Sequence, residues 1–163
     1  HYFTLVLLMS SRLVDIHSMA SEVLHTGGCH CGKVRWQVKA ATNVIVWDCN
    51  CSNCRMRRNT HFIVPANNFK LQESSVEWQT VYTFGTHTAK HIFCKVCGIT
   101  SYYIPRSNPD GVAITVHCVD PGTINSVTVK SFDGINWEES YGASNISASS
   151  KVPETRVDDS FQK

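Results

Sequence analysis

This sequence of 163 residues lacks three features, and each absence excludes a class of protein. It has no apolar run near the roughly 20 residues that a membrane-spanning helix needs, so we expect no membrane partner. It has no excess of either charge, since 15 Lys and Arg stand against 13 Asp and Glu for a formal net charge of +2, which argues against nucleic acid as a direct ligand. It also lacks helical periodicity between residues 27 and 139, which favours a β-sheet domain.

Short alternating or β-branched segments recur through the middle of the chain. In residues 33–39 (KVRWQVK), Val34, Trp36 and Val38 fall on one face, which predicts a half-buried strand. We predict further strands at residues 44–47, 61–64, 76–84, 99–104, 111–119 and 127–132. Many short strands separated by Pro and Gly turn signals predict one mainly β domain of antiparallel sheets with few helices, spanning residues 26–140.

The two ends of the chain differ from its middle in composition. Residues 2–9 (YFTLVLLM) are apolar, but no basic residue precedes them as a signal peptide requires. We therefore interpret residues 1–25 as a leader or N-terminal extension, with Met19 as a candidate native start, and expect a cytoplasmic or nuclear protein. Residues 141–163 are rich in Ser and poor in large apolar residues, which predicts a disordered tail.

The abundant residue is cysteine, which occurs eight times. Seven of the cysteines fall into three clusters, a C-x-C at 29–31, a C-x-C-x-x-C at 49–54 and a C-x-x-C at 94–97, and Cys118 stands alone. A disulfide scaffold is one interpretation. However, the chain is long and apolar enough to fold without disulfide bonds, and it lacks a persuasive secretion signal. The spacings suit a metal instead, because a C-x-x-C turn directs two sulfur atoms at one point and zinc takes four ligands in a tetrahedron.

Seven clustered cysteines are one too few for two closed four-cysteine sites. We therefore predict two zinc ions, one in a closed structural site and one in a three-cysteine site with a position open to water or substrate. The predicted ligands are Cys29, Cys31, Cys94 and Cys97 in the structural site and Cys49, Cys51 and Cys54 in the open site. In the alternative, His30, His61 or Cys118 completes and closes the second site.

The motifs around the clusters read GCHCG at 28–32, CNCSNCR at 49–55 and FCKVCG at 93–98. In this order and spacing, they resemble the glutathione-dependent formaldehyde-activating enzyme family over about residues 26 to 139. Within that family, residues 60–65, 83–91 and 104–111 are similar to the centromere protein V branch. Asn50 stands where many enzyme members carry His, and the centromere-like branch tolerates Asn there.

The resemblance implies a β-tent of folded antiparallel sheets with zinc knuckles, similar to methionine sulfoxide reductase B, and two zinc ions divided four and three. It also implies a carbon–sulfur lyase or synthase that acts on S-hydroxymethylglutathione, the adduct of glutathione and formaldehyde, or on a thiol adduct of a similar small carbonyl or imine. The alternative is a non-enzymatic, centromere protein V-like zinc module with chromatin or cytoskeletal partners. A homo-oligomer is compatible with both functions.

Catalytic roles are predicted for the three cysteines of the open site, which would hold an incoming thiol as thiolate, and for two histidines. His87 and His91 precede the C-x-x-C motif at residues 94–97, and His is the usual proton carrier near neutral pH. The predicted substrate contacts are Arg55, Arg57, His61 and Thr86, of which the arginines would hold carboxylates by forked hydrogen bonds. The alternatives are ordinary polar strand residues for the histidines and a solvated loop for the arginines. All four tryptophans and Cys118 are expected in the core.

Overall fold

The computed structural model describes residues 22–152. Their strands are β1 (Glu22–Gly28), β2 (Arg35–Ala41), β3 (Asn43–Cys49), β4 (Thr60–Pro65), β5 (Phe69–Leu71), β6 (Gln79–Tyr82), β7 (His91–Cys94), β8 (Tyr102–Tyr103), β9 (Gly111–Thr115) and β10 (Ser126–Phe132). Two short α-helices are present in this part of the chain, α1 (Ser52–Arg57) and α2 (Trp137–Ser144). Four 3-10 helices cover Ala66–Asn68, Glu73–Trp78, Val116–Cys118 and Ile146–Ser150. The predicted fold class, mainly β with few helices, is confirmed.

The strands form three sheets. One has the order β1-β2-β5, the second has the order β10-β3-β4-β9-β8, and β6 pairs with β7 alone. All strand pairs are antiparallel except β10 with β3, which run parallel with Ser126 opposite Asn43 and Phe132 opposite Cys49. This one pair departs from the antiparallel pairing predicted for the sheets. The loop after β9 carries the chain back to the start of β3, where the backbone N–H of Asn125 donates to the Thr42 carbonyl, so β10 begins at the same end as β3.

The main core lies between the three-stranded and five-stranded sheets. The alternation predicted in β2 is confirmed, because Trp36 and Val38 are 1% and 0% exposed and pack with the inward side chains of the facing sheet. The Trp36 indole N–H donates to the Ser101 hydroxyl, which satisfies its polar atom inside this core. A second apolar cluster forms on the opposite face of the five-stranded sheet, around Trp47, Tyr103 and Phe132, and it forms the base of the site described below.

Several predicted strands are shorter than their β-branched composition indicates. Residues 76–84 begin within the 3-10 helix Glu73–Trp78, and only Gln79–Tyr82 pairs as a strand. Val76 is 63% exposed, so few packing contacts stabilise it in a strand despite its β propensity. Likewise, the strand predicted to reach residue 119 ends at Thr115. β propensity indicates which segment can form a strand, whereas hydrogen bonding to a neighbouring strand decides how many of its residues do so.

The predicted chain ends also differ from the structure where it describes them. β1 begins at Glu22, inside the expected N-terminal extension. The expected tail from residue 141 is folded as far as residue 150, because Ile146 is only 3% exposed and the Asn108 side-chain amide donates to the carbonyls of Ile146 and Ser147. The low apolar content of this segment predicted disorder, but the buried Ile146 side chain and the Asn108 amide are enough to hold it against the domain. Residues 1–21 and 153–163, the remainder of the predicted extension and tail, lie outside the described residues.

No helix in the described part of the chain is long and apolar enough to cross a membrane.

Candidate metal centres and active site

Two turns bring four cysteines together. The cysteines are Cys29 and Cys31, in the turn after β1, and Cys94 and Cys97, at the end of β7 and in the turn that follows. Gly32 and Gly98 follow the second cysteine of each turn with φ of +77° and +76°, the left-handed region that favours glycine. Backbone N–H groups close both turns, from Gly32 to the Cys29 carbonyl and from Gly98 to the Cys94 carbonyl.

The four sulfur atoms fit a tetrahedral metal ion. They all lie within 4.8 Å of one another, and Cys31 Sγ is 3.6 Å from both Cys29 Sγ and Cys94 Sγ. Zinc–sulfur bonds of about 2.3 Å give tetrahedral edges of roughly 3.8 Å, close to these separations. All eight cysteines, which lie within residues 22–152, are free thiols, so the disulfide alternative finds no support. A set of four cysteine ligands is typical of a structural zinc site.

The three cysteines of the middle cluster also converge. Cys49 ends β3, Cys51 caps the N-terminus of α1 and accepts from the Cys54 backbone N–H, and Cys54 is buried inside α1. Their sulfur atoms lie within 4.8 Å of one another, and no fourth His, Cys, Asp or Glu of residues 22–152 joins the group. Hydrogen bonds from the Cys49 and Cys54 side chains lower the pKa of Cys51, which favours the thiolate form of this sulfur. We call these three residues the cysteine trio.

The turn after β10 packs directly against the cysteine trio. A Cβ atom on Gly134 would lie 2.5 Å from Cys49 Sγ and 2.7 Å from Cys51 Cβ, so the backbone can approach this closely only at glycine. The Asn50 side chain holds the turn in place, since its amide donates to Asp133 at 2.8 Å and its carbonyl accepts from the Ile135 backbone N–H at 3.2 Å. Asn50 therefore has a structural role beside the cysteine trio.

A pocket of about 310 Å³ opens beside the cysteine trio. Its lining includes the aromatic side chains of Trp47, Phe84, His91, Tyr103, Phe132 and Trp137. Phe84, His91 and Tyr103 form one continuous stack, with ring centroids 5.2 and 5.3 Å apart and interplanar angles of 18° and 16°. Arg106 and Thr86 also line the pocket. The arrangement is a mostly apolar cavity that carries the three sulfur atoms in its wall.

His91 is held in one tautomer. The Asn53 side-chain amide lies 2.9 Å from His91 Nδ1, and because the amide N–H donates, His91 carries its proton on Nε2. Asn53 is in turn fixed by Arg57, whose Nε donates to Asn53 Oδ1 at 2.8 Å and whose guanidinium also donates to Thr100 Oγ1 at 2.6 Å. Burial, followed by the positive charge of Arg57, lowers the pKa of His91. The ring is therefore neutral at neutral pH and presents a proton donor.

Tyr103 and His61 form a second pair at the base of the pocket. The Tyr103 hydroxyl lies 3.0 Å from His61 Nε2, and both residues are buried. Burial lowers the pKa of His61 to about 4, so this imidazole is neutral at neutral pH. Burial, together with the neighbouring sulfur atoms of the cysteine trio, raises the pKa of Tyr103 well above its usual value. Tyr103 thus keeps its phenolic proton next to the sulfur atoms.

The structure brings together only some of the predicted site residues. The cysteine trio, His61, Thr86 and His91 line the pocket. His87 does not, because its exposed ring is hydrogen-bonded to Thr83 Oγ1 at 2.8 Å. Arg57 does not either, since it is bound to Asn53 and Thr100. Arg55 is exposed on α1 and borders a separate polar groove on the other side of the cysteine trio.

Three pocket residues that matter for the chemistry discussed below were not predicted as site residues from the sequence. Tyr103 was assigned only to a strand, and Trp137 was expected in the core, but it is half-buried and lines the pocket. Arg106 directly follows Pro105, within the segment 104–111 that carries part of the family resemblance. In the sequence, the only indication that Arg106 belongs to the site is its position directly after the Pro that ends a predicted strand.

Comparisons with known proteins agree with this geometry. A family model described as "Glutathione-dependent formaldehyde-activating enzyme" matches residues 24–132. The crystal structure of a Rhodobacter sphaeroides protein, solved as a structural genomics target, is similar with a TM-score of 0.55 and 33% sequence identity, covering 64% of this chain and 99% of that one. The fold and the two cysteine clusters define a mainly β protein with two candidate metal centres. The chain belongs to the glutathione-dependent formaldehyde-activating enzyme family.

Proposed function

We propose that this protein is a zinc-dependent carbon–sulfur lyase or synthase that acts on the glutathione adduct of formaldehyde or of a similar small carbonyl or imine. One observation carries the proposal: three cysteine sulfur atoms converge in the wall of a pocket, and the described residues provide no fourth ligand. Three protein ligands with one open position are typical of catalytic zinc. Family membership supports the thiol and the aldehyde as reactants.

The proposed reaction joins a thiol to a carbonyl group. The thiol sulfur forms a bond to the carbonyl carbon, and the proton lost from the thiol ends on the carbonyl oxygen; the lyase direction reverses both changes. A zinc ion held by the cysteine trio would keep an incoming thiol deprotonated at neutral pH. The protein's own task is to stabilise the charge that develops on the oxygen and to return its proton.

Two neutral donors in the pocket suit that task. The Tyr103 hydroxyl keeps its proton because its pKa is raised, and His91 carries its proton on Nε2 because Asn53 occupies Nδ1. In this proposal Tyr103 and His91 donate to the developing oxyanion, whereas His61 orients the Tyr103 hydroxyl. Arg57 acts through Asn53 as a positioning residue. The mostly apolar lining lowers the local dielectric constant, which strengthens both hydrogen bonds.

Replacing Tyr103 by Phe tests the proposed donor. Because Phe keeps the stacked ring and removes only the hydroxyl, we expect kcat to fall about 100-fold with little change in thiol affinity. Adduct formation by the zinc-loaded protein, followed by NMR, measures both. Thr83→Val, which removes an exposed hydroxyl outside the pocket, serves as the matched control and should keep full activity. An unchanged kcat in Tyr103→Phe would remove Tyr103 from the mechanism.

The function as a whole is tested with the intact protein after metal analysis. We expect two zinc ions per chain and a faster exchange between free glutathione and S-hydroxymethylglutathione in NMR exchange spectra, an effect that chelation of the metal abolishes. Two zinc ions without accelerated exchange and without glutathione binding would contradict the enzyme and favour the alternative, a non-enzymatic module of the centromere protein V type.

A further inference from the structure

The charge distribution around the pocket does not match a whole glutathione molecule. Glutathione carries two carboxylates and one ammonium group, whereas Arg106 is the one Lys, Arg, Asp or Glu among the described residues that line the pocket. Arg57, which was predicted to bind a carboxylate, donates to Asn53 and Thr100 instead. No acidic side chain of the described lining meets an ammonium group. The pocket therefore offers one anion contact and a large apolar surface.

The Arg106 guanidinium is fixed in position. It lies 3.6 Å above the centre of the Trp137 ring and pairs with the Glu138 carboxylate. The Arg106 side chain is 32% exposed, but that of Glu138 is 78% exposed, so this carboxylate contacts the guanidinium from the solvent side. An exposed ion pair is weak, and a ligand carboxylate from the pocket can share or replace it. The planar guanidinium then binds that carboxylate with two parallel hydrogen bonds.

Two groups of aromatic side chains line the pocket. One wall is the stack of Phe84, His91 and Tyr103, and the other contains Trp47, Phe132 and Trp137, which meet edge to face. A volume of about 310 Å³ is at the small end of ligand pockets. It suits one aromatic ring better than a tripeptide, which would leave most of its polar backbone without partners.

We propose that the preferred substrate of this site is a thiol adduct with an apolar, aromatic portion that fills the pocket and a single carboxylate that Arg106 binds. The proposal rests on the function proposed above, and it names the substrate class of that same site. Arg106 is then the specificity-determining residue, while the aromatic walls supply most of the affinity. Glutathione adducts would be accepted as poorer substrates because they use only part of the pocket.

Binding of three thiols to the zinc-loaded full chain tests the proposal. The probes are 4-(mercaptomethyl)benzoate, its uncharged analogue 4-methylbenzyl thiol, and glutathione. Quenching of tryptophan fluorescence reports binding directly, since Trp47 and Trp137 line the pocket. We expect the aromatic carboxylate to bind about tenfold or more tightly than either of the other two thiols. Equal or tighter binding of glutathione would overturn the proposal.

Three variants separate the contributions. Arg106→Gln should lose about tenfold in affinity for the aromatic carboxylate and nothing for the uncharged thiol, and Arg106→Lys should recover part of the loss. Phe84→Leu, at a residue that is 39% exposed, should weaken both aromatic thiols and leave glutathione unchanged. Lys70→Gln, in the other sheet, controls for net charge. An equal loss for both aromatic thiols in Arg106→Gln would overturn the role of Arg106.

The same measurements distinguish this proposal from the proposed function. If none of the three thiols binds, or if glutathione binds equally well after removal of the metal, the open metal site and the proposed reaction are both wrong. If glutathione binds and its adduct exchanges rapidly while the aromatic carboxylate does not bind more tightly, only the substrate class is wrong.

Discussion

Cys94→Ser is expected to prevent the protein from folding stably at 37 °C. A structural zinc site contributes on the order of 10–16 kcal/mol of apparent binding free energy, whereas a domain of this size is stable by only about 5–15 kcal/mol. Cys94 is 1% exposed and belongs to the group of four sulfur atoms that joins the turn after β1 to the end of β7. Loss of this ligand removes the link between two sheets and leaves three sulfur atoms without a metal, of which that of Cys29 is buried.

Circular dichroism melting curves and zinc content measure this effect. The matched control is Cys118→Ser, because Cys118 lies outside both clusters in the 3-10 helix Val116–Cys118 and burial raises its pKa to about 11, as for an inert thiol. This control should change the free energy of unfolding by only about 1 kcal/mol. A Cys94→Ser protein that melts at the wild-type temperature with two zinc ions bound would disprove the structural role of the four-cysteine site.

Cys51→Ser is expected to abolish the proposed activity without unfolding the protein. The cysteine trio spans one short segment at the end of β3, so its metal would hold together fewer distant parts of the fold than the four-cysteine site does. Removing one of three ligands forfeits several kcal/mol of transition-state stabilisation, or about a thousandfold in rate. We expect one zinc ion per chain instead of two, a native circular dichroism spectrum and no detectable acceleration of adduct exchange.

Glutathione titration of the same variant provides the second measurement. Binding should be lost, because the open position that receives the thiol is gone, whereas Cys118→Ser should bind and react as the wild type does. Unchanged glutathione binding by a folded Cys51→Ser protein would place the thiol elsewhere, and the polar groove beside Arg55 would then become the next candidate.

The sequence was sufficient for the features that depend on local pattern. The period-two alternation around Trp36 predicted a strand with one buried face, and the grouping of seven cysteines into four and three matches the two groups that the structure brings together. Cysteine spacing is informative because a C-x-x-C or C-x-C segment forms a local turn that directs both sulfur atoms towards one point. The mainly β class followed from the same kind of evidence, many short segments bounded by turn residues.

The features that depend on distant partners were not predictable in this way. The parallel pairing of β10 with β3 depends on the path of a loop, and the folded segment after α2 depends on one buried Ile146 and one Asn108 amide. Arg55 and Arg57 are two positions apart on a helix, so they point roughly 200° apart and cannot both reach one pocket. The two arginines are close in the sequence, but the helix directs their side chains to different sides. This helix is too short for its periodicity to be recognised in the sequence.

The two metal sites differ in how much of the chain must exist before each can form. The cysteine trio lies within α1 and its N-terminal approach, so all three sulfur atoms leave the ribosome almost together. Cys31 and Cys94, by contrast, are separated by 63 residues, and the chain must be synthesised through Cys97 before all four ligands of their site are present. During biosynthesis the cysteine trio can therefore bind an ion before the four-cysteine site is complete.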